Sequence, residues 1–212
     1  MKKNYLPNKI GIFPLSNAIF FPRTILPLNI FEDRYIQLIN DCMKEGRMFG
    51  MVQPKSKVDI SPEVYNIGCL GKIISFNETT DKRFIISLSG IIRFRIKREF
   101  EKSKMYRNFE VDYSEFLSDL EEKKDQTINY DKKILLNNIK NFFRKIGYPI
   151  DYNELKKLNL DLLASTVTMI SPFSAEEKQK LVEIIKIEDK IKTLNEIISF
   201  NLVDFQENKT VQ

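Results

Sequence analysis

The sequence predicts an α+β fold: a strand-rich first part holding one helix, then an all-helical second part. Three observations carry this. Prolines 14, 22 and 27 interrupt short apolar runs near the start, and each fixes its own φ and biases the residue before it toward extended geometry. Between Ile67 and Tyr113 apolar and polar residues alternate, the period of strands with one buried face. Beyond residue 126 the apolar period becomes about 3.6, that of amphipathic helices.

The elements follow in order. Tyr35, Leu38, Ile39, Cys42 and Met43 recur at helical spacing after Phe31, and Gly46 supplies a stop. Phe49 to Val52 reads as a short strand ended by Gln53-Pro54, and Lys55 to Glu63 as a polar loop. Ile67 to Phe76 is a strand carrying Gly68 and Gly71, which mark a bulge or a close backbone approach. Phe84, Ile86 and Leu88 form the buried set of the next strand, before Gly90 breaks its register. Ile92, Phe94 and Ile96 alternate with Arg93, Arg95 and Lys97, and Phe109, Val111 and Tyr113 belong to a last strand. Short strands with a glycine break suit a small curved barrel.

The expected boundaries are a barrel over residues 1–117, a charged linker over 118–126 and a helical bundle over 127–212. In the bundle, Leu135, Ile139, Phe142, Phe143 and Ile146 form one stripe, ended by Gly147-Tyr148-Pro149. Asp151 to Lys157 reads as a short helix. Leu163, Val167 and Ile170 form another, stopped by Ser171-Pro172. Ser174 to Glu177 is a capping box, and the helix it opens is expected to bury Leu181, Ile184 and Ile185. Ile187, Ile191, Leu194 and Ile198 continue at helical spacing to about Val203, and the last residues read as a frayed polar end.

Composition narrows the function. The 212 residues, 42% hydrophobic and 30% charged, match a globular chain. No apolar run approaches the roughly 20 residues that cross a bilayer, and the basic start lacks an apolar leader core, so the cytoplasm is the expected location. Cys42 and Cys69 read as buried free thiols. Without histidine the chain has no His-based triad, no Cys-His dyad and none of the usual zinc sites. The net charge of +5 is uneven: the first 117 residues carry 19 Lys and Arg against 13 Asp and Glu, the rest 15 against 16. The excess reads as a solvated lysine surface rather than a nucleic-acid footprint. Glu121-Glu122 reads as solvation in the linker, not a catalytic pair.

Several blocks occur in a telling order. They are Phe13-Pro14-Leu15, Phe21-Pro22, Pro27-Leu28, Ile30 to Tyr35 with Glu32 and Arg34, Phe49-Gly50-Met51-Val52, Ile67-Gly68-Cys69 and Gly90 to Ile96. Their order and spacing resemble the N-terminal substrate-recognition domain of Lon-type ATP-dependent proteases. Met169 to Gln179 is similar to the helical half of stand-alone bacterial Lon-domain proteins. The resemblance implies a PUA-like pseudo-β-barrel followed by a helical bundle, a unit that contacts unfolded or damaged polypeptides and hands them to an ATPase and a protease. The catalytic parts of that machine are expected to be absent. Gly68-Cys69-Leu70-Gly71-Lys72-Ile73 is too short between its glycines and lacks the Ser or Thr of a phosphate-binding loop. No segment remains for a Ser-Lys peptidase.

Four residues are the candidate polypeptide contacts: Phe20, Phe21, Phe31 and Tyr35. Core is the favoured reading for Phe20, Phe21 and Phe31, but Phe20 and Phe21 are adjacent in an extended segment, so if one is buried the other is a candidate for exposure. Arg34 is expected to fork with an acid on a neighbouring strand. Arg93, Arg95 and Lys97 form a candidate electrostatic strip on one strand face. Because the PUA-like class includes RNA-binding domains, the strip keeps an RNA-binding alternative open, although no aromatic lies between its cations for base stacking. No cofactor or metal is expected. The expected reading is a non-catalytic polypeptide-binding module, with a protease or chaperone as a further partner.

Overall fold

The computed structural model describes residues 6–16, 18–56, 63–101, 103–121 and 130–207. Residues 1–5, 17, 57–62, 102, 122–129 and 208–212 lie outside that set. The chain divides into two units, Met1–Glu122 and Lys123–Gln212.

The first unit is built on one six-stranded sheet. In chain order its elements are β1 (Lys9–Pro14), β2 (Ile25–Ile30), α1 (Asp33–Lys44), β3 (Met48–Val52), β4 (Ile67–Glu78), β5 (Phe84–Glu99), β6 (Arg107–Asp112) and a 3-10 helix over Ser114–Leu120. The spatial order is β2-β5-β4-β3-β1-β6, and β6 also pairs with β5. That second pairing closes β5, β4, β3, β1 and β6 into a ring, the barrel that the strand pattern predicts. β1 and β3 run parallel; the other pairs are antiparallel.

One strand, β5, makes this closure possible. Its early residues pair with β2, from Phe84 to Ser89. Its late residues pair with β6, from Arg95 to Glu99. Gly90 therefore does not end a strand, as the pattern predicts; it lies inside a continuous one. The reason for glycine is space. A Cβ there would sit 1.9 Å from the Phe21 carbonyl oxygen. Phe21-Pro22-Arg23-Thr24 is a tight turn, closed by Thr24 N–H to Phe21 O at 3.3 Å. Arg23 holds φ at 62° in it. Arg23 N–H donates to Gly90 O at 2.8 Å, and Gly90 N–H to Thr24 O at 2.9 Å. The turn thus forms a bulge against β5, with two residues opposite one. Gly68 is a second close approach, 2.3 Å from its Cβ position to the Met51 carbonyl oxygen.

The barrel core collects the alternating residues: Ile10, Ile12, Phe49, Leu70, Ile86, Leu88, Ile92 and Phe94 are buried. α1 buries Tyr35, Leu38, Ile39 and Cys42, the face its spacing predicts.

The second unit contains α2 (Lys132–Ile146), α3 (Tyr152–Lys157), α4 (Leu160–Ile170), α5 (Ala175–Glu183) and α6 (Ile187–Glu207). Side chains cap their starts: Asp131, Asp151, Asn159 and Ser174 each accept an orphan backbone N–H. Ser174 and Glu177 form the expected capping box. α2 ends at Gly147 with φ 72°. Leu135, Ile139, Phe142, Leu163, Val167, Leu181, Ile191 and Leu194 fill the core. A buried pair, Lys190 to Asp161 at 3.2 Å, joins α6 to α4. Two details differ from the periodicity. Ile170 and Ile185 are exposed. α4 ends at Ile170 and α5 at Glu183, so neither residue is followed by a further turn that would carry it onto a packed face.

Two predictions follow from the packing. Gly90→Ala should lower the unfolding free energy by about 3 kcal/mol in urea denaturation, because the new methyl meets backbone rather than a movable side chain. Cys42 and Cys69 are free and buried, and burial pushes the Cys42 thiol up to about 12. A raised folded-state pKa contributes stability that is complete below about pH 9 and is lost as pH rises toward 12. Native protein at about pH 8 should react slowly with a thiol reagent and guanidinium-unfolded protein quickly. Fast labelling of the native chain would contradict this placement.

Candidate functional site

β5 changes partners midway, and the change leaves a gap. β2 ends its pairing at Ser89 and β6 begins at Arg95. The intervening edge is covered by the 3-10 helix. Asp119 supplies the missing acceptor: Arg93 N–H donates to Asp119 Oδ2 at 3.1 Å. The Arg93 guanidinium forks onto the same carboxylate, Nε to Oδ2 at 2.9 Å and Nη2 to Oδ1 at 2.8 Å. The guanidinium carbon lies 4.6 Å over the Phe116 ring. Both ions are almost fully buried, with side-chain exposures of 1% and 4%. Arg23 Nη1 donates to the Asp119 and Glu121 carbonyls at 3.4 and 2.9 Å, which holds the left-handed residue in place.

This geometry revises the electrostatic strip. Arg93, Arg95 and Lys97 do share a face, but it is not an open row of cations. Arg93 is buried against Asp119, Arg95 forks onto Glu115 at 2.8 and 3.0 Å, and Lys97 reaches Asp112 at 3.2 Å. The three acids come from β6 and from the 3-10 helix that follows it. The N–H and hydroxyl of Ser114, then Lys97, hold the Asp112 carboxyl down to about 2. The expected linker opens at residue 118, yet Ser118, Asp119 and Leu120 belong to that 3-10 helix, with Asp119 buried. Of the acid pair in the linker, Glu122 lies outside the described residues.

The four candidate contact residues separate. Phe20 and Phe21 are both buried, at 2% and 0% exposure. The core reading favoured for them is the one seen, and neither takes the exposed place, because Phe21 opens the Phe21–Thr24 turn that folds back on β5. Phe20 packs where a Cβ on Gly71 would lie, and Phe21 presses its backbone on Gly90. Tyr35 is buried too, with its ring 4.1 Å from that of Phe13. Only Phe31 of the four is open, at 63% exposure. Arg34 does find an acid, but in its own segment: Nε reaches Glu32 Oε2 at 2.9 Å, and the guanidinium lies 4.6 Å over the Tyr35 ring. Gly50 sits where any Cβ would meet Ile12 and Phe94, while Pro14 closes β1 and Pro27 lies within β2. The motif residues are therefore largely scaffold.

Phe31 continues a surface that the motifs do not mark. β2, the first half of β5 and the second half of β4 form a three-stranded lip on one side of the barrel. Its inward face buries Leu28, Ile30, Phe84 and Ile86. Its outward face carries two cross-strand rows, Pro27–Ser87–Ser75 and Asn29–Ile85–Asn77. Ile25 lies one row further along β2, and Ile74 sits at the bulge between Ile73 and Ser75. Ile25, Ile74 and Ile85 are about half exposed. Apolar groups separated by small hydroxyl and amide side chains make a surface that can take apolar side chains without demanding one shape. Alternation in β5 shows Ile85 on this side; the position of Ile74 depends on a bulge that periodicity does not reveal. Among the described residues no group of three Cys, Asp or Glu side chains could hold a metal, and no helix is long and apolar enough to cross a membrane.

Comparison with known proteins gives this architecture a family. A family model for the substrate-binding domain of ATP-dependent protease La (LON) matches residues 9–199, and the chain belongs to that family. A Lon protease of Desulfosudis oleivorans is 29% identical over 212 residues, which cover 93% of this chain and 24% of that protein. One of Dictyoglomus thermophilum is 24% identical over 195 residues, covering 88% of this chain and 24% of that protein. The chain thus spans 24% of the length of these relatives, and the match is to the substrate-binding domain. A Lon N-terminal domain protein from Xanthomonas campestris has the same fold, with a TM-score of 0.65 and 20% identity over 88% of this chain and 96% of that one. The N-terminal domain of the Mycobacterium avium complex Lon protease gives a TM-score of 0.63 and 15% identity over 90% and 98%.

Removing one partner of the buried pair isolates its role. Asp119→Ala should cost about 3–5 kcal/mol of stability, because it removes the carboxylate that meets the buried Arg93 guanidinium and N–H together. Glu115→Ala, at an exposed pair, should cost less than about 1 kcal/mol. Equal losses in chemical denaturation would refute the distinction.

Proposed function

We propose that this chain is a polypeptide-binding module without catalysis of its own, and that it takes unfolded or damaged protein segments as substrate in ATP-dependent proteolysis. The observation that carries this reading is the outward face of the β2–β5–β4 lip, with Ile25, Phe31, Ile74 and Ile85 exposed in a chain of the Lon substrate-binding family. Folded proteins bury such groups; unfolded ones present complementary apolar side chains on an extended backbone. Each contact is weak, and several in a row give useful affinity with little sequence preference. An adaptor role, delivering captured chains to a separate protease or chaperone, is the form this function takes if the unit works apart from an ATPase. The cytoplasm suits two free, buried thiols.

Arg93, Arg95 and Lys97 are each paired with an acid, so their arrangement does not favour the RNA-binding alternative. Polypeptide binding is therefore the reading we retain.

The test is affinity for a permanently unfolded protein against its folded counterpart. The unfolded form should bind and the folded form should not. Ile85→Asp or Phe31→Ser should weaken binding about tenfold, each losing roughly 1.5 kcal/mol of apolar contact, with the circular dichroism unchanged. Equal binding of both forms, or indifference to both substitutions, would sink the proposal.

A further inference from the structure

The lip has two edges, and they differ. β2 carries Pro27 in its middle. Gly90 N–H donates to Thr24 O, and counting by twos from there turns Leu26, Leu28 and Ile30 toward β5 and Pro27 outward. Proline has no N–H, so that edge lacks a donor where an added strand needs one.

The other edge has no such guard. Ile73 N–H donates to Arg47 O at 2.8 Å, and beyond it no described strand pairs with that side of β4. The chain enters the sheet there, coming from α1 into β3 through two consecutive left-handed residues, Gly46 with φ 78° and Arg47 with φ 63°. Ile74, Ser75, Phe76, Asn77 and Glu78 are all exposed. Thr79 N–H bonds Arg83 O at 2.9 Å, so Asn77 and Ser75 face β5 and the backbone groups of Phe76 and Glu78 point to the open side. This stretch holds no proline or lysine. The slot is the continuation of the β3 line, where the chain itself declines to pair.

We infer that the distal half of β4 is a strand-addition site for an extended segment of client polypeptide, running antiparallel to β4. The inference rests on the polypeptide-binding reading and deepens it. Charge fixes the occupant's direction. Arg47 and Lys72 flank the inner end of the slot, and Glu78 stands at the outer end. A segment with an acidic group at its C-terminal end meets the two cations in the antiparallel sense. Its backbone completes the Phe76 and Glu78 pairs, and alternate apolar side chains extend the outward face past Ile74. Backbone pairing reads no side chain, which suits a site that must accept many sequences.

The probe is a synthetic peptide of about eight residues alternating valine and serine, with a C-terminal aspartate, followed by fluorescence anisotropy. Two N-methylated versions carry methyl groups on alternate residues, one on each backbone edge. One version should bind at least about tenfold more weakly than the parent and the other nearly as well, since only one edge faces β4. Arg47→Glu should weaken the parent several-fold. Phe76→Pro should abolish the edge preference; the methylated pair tests the site even if that variant misfolds. If both methylated peptides bind alike while the unfolded protein still binds, the edge site is wrong and the polypeptide-binding reading stands. If neither the peptide nor the unfolded protein binds, that reading falls with it. If the chain self-associates without peptide and Phe76→Pro prevents it, a second copy is the occupant and the inference is overturned.

Discussion

The buried pair between Arg93 and Asp119 is the interaction on which the first unit depends. A strand that serves two partners must pass an interval where it has neither. At that interval β5 would expose backbone in the wall of the barrel, and an unpaired buried N–H is costly. Asp119 accepts from the Arg93 backbone and side chain together. Its own backbone and that of Glu121 hold Arg23. One short helical turn therefore fixes β5, the bulged turn opposite Gly90 and the end of the barrel. The ion pair is tolerable in the interior because its geometry is bidentate and an aromatic ring lies over the cation.

Much of this was legible in the sequence. The switch from period two to period 3.6 separated strand-rich from helical sequence, and the capping residues marked the helix starts. Among the blocks that named the family, Gly68 and Gly90 are positions where backbone approaches backbone. What the sequence hid were pairings distant in the chain. Arg93 reads as one of three equivalent cations until Asp119, 26 residues later, is seen to bury it. Phe20 and Phe21 read as alternating until the positive φ of Arg23 shows a turn. Arginine carries no local signal for that conformation; a glycine there would have.

The same lesson applies to the surface. Apart from the exposed Phe31, the motif residues are largely occupied with holding the scaffold, so they are poor guides to what it touches. The exposed isoleucines lie instead in the solvent-facing register of β2, β4 and β5. Barrel closure explains why they are there. β5 gives its second half to β6 and its first half to β2, so the first half projects as a lip with a free face.

In the proposed function this lip, and not the cationic face of β5, receives unfolded polypeptide. Amide hydrogen exchange of the chain with and without a bound, permanently unfolded protein tests it most directly. Added protection is expected over Ile25–Phe31, Ile74–Glu78 and Phe84–Ser89, with Arg95–Glu99 unchanged. Protection confined to Arg95–Glu99 or to the helical unit, with the lip unaffected, would contradict it.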